Sequence, residues 1–143
     1  MLNEVQIKQL ISSACQVRQN SYSPYSHFCV GAALLTAKGK IYVGTNIENI
    51  SYPVGICAER SAFAVALSNG ERNFVALALV GGSQSEKDII KTFCTPCGMC
   101  RQFMAEFCGT DFPIITARSE NDWKILTMKE LLPHSFSTYL SIK

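Results

Sequence analysis

Apolar positions near the start of the chain recur as Ile7, Leu10, Ile11, Ala14 and Val17, a spacing that predicts one buried helix face, with Asn3 placed to cap it. The polar stretch Gln19 to Ser26, broken by Pro24, predicts a loop. Phe28 to Thr36 and Lys40 to Ile47 are β-rich and separated by Lys38-Gly39, which predicts a hairpin. A second loop spans Asn46 to Gly55. Cys57 to Leu67 returns to helical spacing and stops at Asn69-Gly70. Phe74 to Val80 is continuously apolar and reads as a buried strand, followed by a polar, exposed stretch from Ser83 to Lys91. Cys97 to Cys108 reads as a helix that starts after Pro96 and ends at Gly109. Phe112 to Ala117 and Trp123 to Leu126 read as strands joined by a polar turn, and Thr127 to Glu130 is a capping-box pattern opening a short helix that Pro133 ends. The order α, β, β, α, β, α, β, β, α predicts a mixed sheet covered by helices on both faces.

Composition narrows the classes. A chain of 143 residues, 48% apolar and 17% charged, suits one domain, residues 1–143, with one core and room for a subunit interface. The formal net charge of +2 is small, and Lys and Arg do not cluster beyond neighbouring pairs, so nucleic acid is not the expected partner. No stretch approaches the roughly 20 apolar residues that span a membrane. The N-terminus lacks the basic-then-apolar pattern of a secretion signal, so a cytoplasmic location is expected. Seven cysteines are an odd number, and a reducing compartment disfavours disulfides. Clustered cysteines therefore point to metal or catalysis, while Cys15 and Cys108, on apolar helix faces, read as core.

Two short segments carry the chemistry: Cys57-Ala58-Glu59 and Pro96-Cys97-Gly98-Met99-Cys100. Each lies where the chain enters a predicted helix. Cys97 and Cys100 share one helical turn, and Cys57 would join them from the other helix. Three thiolates leave one position of a tetrahedral zinc open, which a catalytic site needs. Helix N-termini favour thiolate over thiol. Three thiolates also overcompensate the charge of Zn²⁺, and Arg60 is placed to offset the excess. Glu59, two residues from a ligand, can move a proton to or from a water there without binding the metal. Cys, one residue, Glu, and later Pro-Cys-x-x-Cys is the signature of zinc deaminases.

With Ser23-Pro24-Tyr25-Ser26-His27-Phe28, Val30-Gly31-Ala32-Ala33-Leu34, Asn46-Ile47-Glu48-Asn49, Gly55 through Arg60, Pro96 through Gln102, and Leu131-Leu132-Pro133 followed by Phe136, the chain resembles the cytidine deaminases from about Tyr22 to Phe136. The resemblance implies a three-layer α/β/α sandwich on a mixed five-stranded sheet. It implies zinc on Cys57, Cys97 and Cys100, with Glu59 shuttling protons. It implies that Phe28 stacks on the cytosine ring, that Asn46 and Glu48 hold the ribose hydroxyls, and that backbone N–H near Ala58 meets the base carbonyl. Tyr25, Tyr52 and Phe136 would sit near active sites shared in a homotetramer. The implied reaction is hydrolytic deamination of cytidine and deoxycytidine, in pyrimidine salvage.

The residues agree about the sugar. Asn46 and Glu48 alternate off a strand end, and an amide with a carboxylate can bracket two vicinal hydroxyls. No basic pair is placed to greet a phosphate, which favours a free nucleoside. Cys94 departs from the pattern: Cys94, Cys97 and Cys100 form a ladder that with Cys57 could close the metal with four thiolates. Pro96 breaks the chain between Cys94 and the helix, so Cys94 is read as a bystander. The rival readings are a deaminase of another cytosine compound and a non-enzymatic zinc-stabilised interaction module. Neither His27 nor His134 has ligand spacing to a cysteine.

Overall fold

The computed structural model describes residues 2–87 and 90–137. In chain order they form α1 (Glu4–Arg18), β1 (Phe28–Thr36), β2 (Ile41–Thr45), a 3-10 turn (Tyr52–Val54), α2 (Ala58–Ser68), β3 (Phe74–Ser83), α3 (Gly98–Phe107), β4 (Pro113–Ser119), β5 (Asp122–Thr127) and α4 (Met128–Leu131). Two ends are set locally by reciprocal hydrogen bonds. Asn3 and Gln6 form a capping box at the start of α1, and Thr127 and Glu130 form one at the start of α4.

The five strands make one sheet in the order β2-β1-β3-β4-β5, with β3 and β4 parallel and the other pairs antiparallel. Helix α1 covers one face, where Ile7, Leu10, Ile11 and Ala14 meet Ala33, Leu35, Ala78, Val80 and Ile115. Helices α2, α3 and α4 cover the other, where Phe63, Met104 and Leu131 meet Leu34, Leu77, Leu79 and Ile114. The two faces alternate along β1 and β3, and both are buried. That is why these strands read as continuous apolar runs. The expected three-layer sandwich on a mixed five-stranded sheet is the architecture found.

Helix α2 sits close on β2 because Gly44 has no side chain: a Cβ there would lie 2.3 Å from Ala62 N and 2.7 Å from Ala58 O. This contact sets the height at which α2 presents its N-terminus. The N-termini of α2 and α3 face the end of the sheet where β3 finishes and β1 begins, since Phe28 pairs with Ser83. Open α/β sheets commonly bind ligands beyond the carboxyl ends of their strands.

Several boundaries differ from the sequence expectation. Strand β3 runs to Ser83 rather than stopping at Val80, because its ladder with Phe28, Cys29 and Val30 carries it through Gly81-Gly82. Strand β2 is shorter than Lys40 to Ile47, because beyond Thr45 the Asn46 side chain takes over: its Oδ1 accepts from Val30 N at 2.9 Å. Cys57 and Cys97 lie just outside their helices, as caps. The stretch after Ser83 is not uniformly exposed, since Ile90 is buried against the α1 side. Val17 and Cys15 are only half-buried, and the residue that α1 buries next to them is Arg18. Its Nε donates to Cys29 O at 2.9 Å, and its terminal nitrogens donate to Glu86 O and Ser83 O at 2.7 Å each.

Candidate active site

Cys57 and Cys97 occupy equivalent places, each the extended residue that opens a helix, and neither sulfur caps its own helix. Both are therefore available to a third party. Cys100 lies one turn inside α3 and is fully buried. The three Sγ atoms all lie within 4.8 Å of one another, and Cys57 Sγ is 3.8 Å from Cys97 Sγ. Zinc–thiolate bonds of about 2.3 Å in a tetrahedron separate sulfurs by about 3.8 Å, so the cluster has the size and donor chemistry of a three-thiolate zinc site.

The electrostatics favour deprotonation in part. Hydrogen bonding from Cys100, joined by Cys97 and Arg60, holds the Cys57 thiol down at about 5 despite its partial burial. Cys100, which shares its proton with Cys57 and is buried, is raised. Without metal, one thiolate is thus held by neighbouring thiols, and a cation takes the place of those protons. Burial disfavours the charge on Arg60, but the sulfurs of Cys100 and Cys57 outweigh it and raise its pKa. Arg60 Nε is buried with no hydrogen-bond partner among the described residues. Arg60 thus lies beside the Cys57 and Cys100 sulfurs.

Glu59 is 4% exposed. Burial pushes its carboxyl up to about 7, and the negative Cys57 adds to that against the pull of its own backbone amide. A carboxyl that changes protonation near neutrality beside a metal site can serve as both acid and base. Cys94 is not part of the sulfur cluster. Burial, with Glu59 and the other sulfurs, pushes its thiol up to about 12.

A cavity of about 530 Å³ opens beside the cysteines, lined by Cys57, Cys97 and Arg60 at one end and by Asn46, Glu48, Tyr25 and Tyr52 at the other. Asn46 and Glu48 line one space, as their alternation predicts, but each already has bonds within the protein. Asn46 Oδ1 accepts from Ser21 Oγ at 2.5 Å and Val30 N at 2.9 Å, and its Nδ2 donates to Phe28 O at 2.8 Å. One amide hydrogen is left over. Glu48 Oε1 accepts from the amides of Tyr25 and Ser26 at 2.9 and 3.0 Å, and Oε2 accepts from Ser26 Oγ at 2.5 Å. Partial burial works against the Glu48 charge, but these bonds outweigh it and lower its pKa. The Tyr25 and Tyr52 rings touch, with centroids 5.7 Å apart.

Phe28 is 38% exposed and lies on the face of the sheet that carries α2 and α3, outside the lining of this cavity. Ala58, the first residue of α2, is fully buried. Phe136 is 87% exposed, its carbonyl accepts from Gln102 Nε2 on α3 at 2.8 Å, and it is not among the residues lining the cavity. Sequence spacing missed Ser21 and Ser26, which orient Asn46 and Glu48 across a loop closure, and Arg18. Nothing periodic marks any of them.

A buried carboxyl that titrates near neutrality beside a three-cysteine cluster able to hold a metal, on a mixed sheet flanked by helices, fits a metal-dependent α/β hydrolase. The sequence pattern of the family described as the cytidine and deoxycytidylate deaminase zinc-binding region matches residues 4–116. A cytidine deaminase from Sporosarcina psychrophila is 43% identical over 131 residues, covering 92% of this chain and 91% of that protein. One from Halalkalibacterium halodurans is 43% identical over 130 residues, covering 91% and 93%. The crystal structure of cytidine deaminase from Burkholderia pseudomallei superposes with a TM-score of 0.80 at 38% identity, covering 90% of this chain and 97% of that one. The chain belongs to the zinc-dependent cytidine and deoxycytidylate deaminase family.

Proposed function

We propose that the whole chain acts as one catalytic unit that deaminates free cytidine and deoxycytidine to uridine and deoxyuridine, releasing ammonia. Cys57, Cys97 and Cys100 would hold one zinc ion. The observation that carries this reading is the buried Glu59, its pKa raised to about 7, packed against the three-sulfur cluster.

When bound, zinc supplies Lewis acidity that lowers the pKa of a water at its open position. Glu59 takes the two protons of the attacking water in turn. It gives the first to ring N3 as oxygen adds at C4, and the second to the departing amine. Arg60 offsets the excess negative charge of three thiolates. The remaining Nδ2 hydrogen of Asn46 donates to a ribose hydroxyl, and Glu48 accepts from the neighbouring one. The backbone N–H of Ala58 meets the base carbonyl, and Phe28 stacks on the ring. Tyr25, Tyr52 and Phe136 complete active sites shared between subunits of a homotetramer. Their exposure, with Phe136 not among the residues lining the cavity of its own chain, supports that arrangement. Seven cysteines suit a reducing, cytoplasmic setting in pyrimidine salvage.

Ultraviolet absorbance of cytidine over the zinc-loaded protein tests this directly. The cytosine band should fall with the native protein, and Glu59→Gln should keep its zinc and lose nearly all turnover. Loss of the band with Glu59→Gln at the native rate would remove the proton-transfer role. Cys94→Ser should retain zinc by metal analysis, and loss of the metal would reinstate a closed four-thiolate site.

A further inference from the structure

We propose that Gly81 and Cys94 are positioning residues that form the seat of the Phe28 ring and thereby set the affinity for the base. The proposal rests on the reading that Phe28 stacks on cytosine.

In the β1–β3 ladder Phe28 pairs with Ser83 and Val30 pairs with Gly81. Phe28 and Gly81 are therefore diagonal neighbours on the same face, and a diagonal neighbour is within reach of an aromatic side chain. That face carries α2 and α3, whose first residues hold the sulfur cluster. Cys94 approaches the same point from the segment leading into α3. A Cβ at position 81 would lie 2.7 Å from Cys94 Sγ, 2.9 Å from Cys94 Cβ and 3.1 Å from Phe28 Cε1. The absence of a side chain at 81 lets the thiol and the ring occupy that space together. The floor of the seat is bare β3 backbone, its wall is the Cys94 thiol, and Phe28 lies on it with its outer face exposed.

Adding a methyl group at 81 must move the ring or the thiol. The chemical step depends on Glu59 and the cysteines and would proceed once substrate is bound. The signature is therefore a change in KM without a change in kcat.

The test is steady-state kinetics with cytidine on zinc-loaded Phe28→Leu, Gly81→Ala and Gly81→Ala/Cys94→Ala, with zinc content and circular dichroism measured on each. Phe28→Leu and Gly81→Ala should each raise KM by roughly 3- to 10-fold, the range an aromatic contact spans, with kcat within about 2-fold. Adding Cys94→Ala removes the closest of the three contacts and should recover part of the Gly81→Ala loss. If Phe28→Leu raises KM and Gly81→Ala does not, the seat is overturned and the stacking reading stands. If Phe28→Leu leaves KM unchanged, the stacking reading falls and the seat falls with it. If Gly81→Ala loses kcat and zinc together, the glycine serves only the fold and the proposal is overturned. Should Gly81→Ala fail to fold, Cys94→Met adds bulk at the same point without altering β3. The same rise in KM is then expected, and an unchanged KM overturns the proposal.

Discussion

Glu48 shows how one side chain can do two jobs. Its carboxylate collects the amides of Tyr25 and Ser26 and the Ser26 hydroxyl, closing the loop ahead of β1 while lining the cavity. Hydrogen bonds to a charged group contribute about 1.5–3 kcal/mol each, and a lost sugar contact of that size is roughly 10- to 150-fold in affinity. Glu48→Ala should therefore raise the KM for cytidine by at least about 10-fold. A KM within 2-fold of native would favour a substrate without ribose hydroxyls, which is the rival cytosine-compound reading. Asn46 differs: three of its bonds are internal, so its loss should also loosen the start of β1.

Elements are joined at a few points that no local pattern reveals. Arg18, 6% exposed, donates from all three guanidinium nitrogens to the carbonyls of Cys29, Ser83 and Glu86. It ties the last turn of α1 to the first residues of β1 and to the chain leaving β3. Arg18→Met preserves bulk but strands one buried and two part-buried carbonyls, a buried one costing about 1–3 kcal/mol when left unpaired. Urea denaturation should show a loss of about 3 kcal/mol or more, and a loss under 1 kcal/mol would mean that water satisfies those carbonyls. Local caps matter less: Thr127→Ala, which removes the capping box of α4, should cost only about 1 kcal/mol in the same assay.

For the molecule as a whole, a metal held by the three cysteines would join α2 to α3. Three sulfurs from two helix openings converge, and without a cation one thiolate is held by its neighbouring thiols and Arg60. Chelation should therefore abolish activity and lower the melting temperature, and zinc should restore both. A chelator-treated protein with an unchanged melting temperature would show that the two helices are held by packing alone. Light scattering should return the mass of four subunits. A mass near the 15.7 kDa of one chain would leave Tyr52 and Phe136 without the proposed partner surface.

Much of this was determined by the sequence alone. Capping residues, apolar periodicity and glycine stops mark every helix and strand, because these depend on neighbours within a turn or two. The short motifs around Cys57 and Cys97 name the chemistry, because ligand type and spacing on a helical turn are local properties. Tertiary structure decided the rest. It placed Arg18 inside, since a buried guanidinium depends on carbonyls more than sixty residues away. It set Cys94, which Pro96 had already marked as a bystander, beside Gly81 and Phe28. It carried β3 through two glycines whose strand character comes only from their partners in β1. It also raised Glu59 toward neutrality, because burial is a property of the folded chain and has no signature in the residue itself.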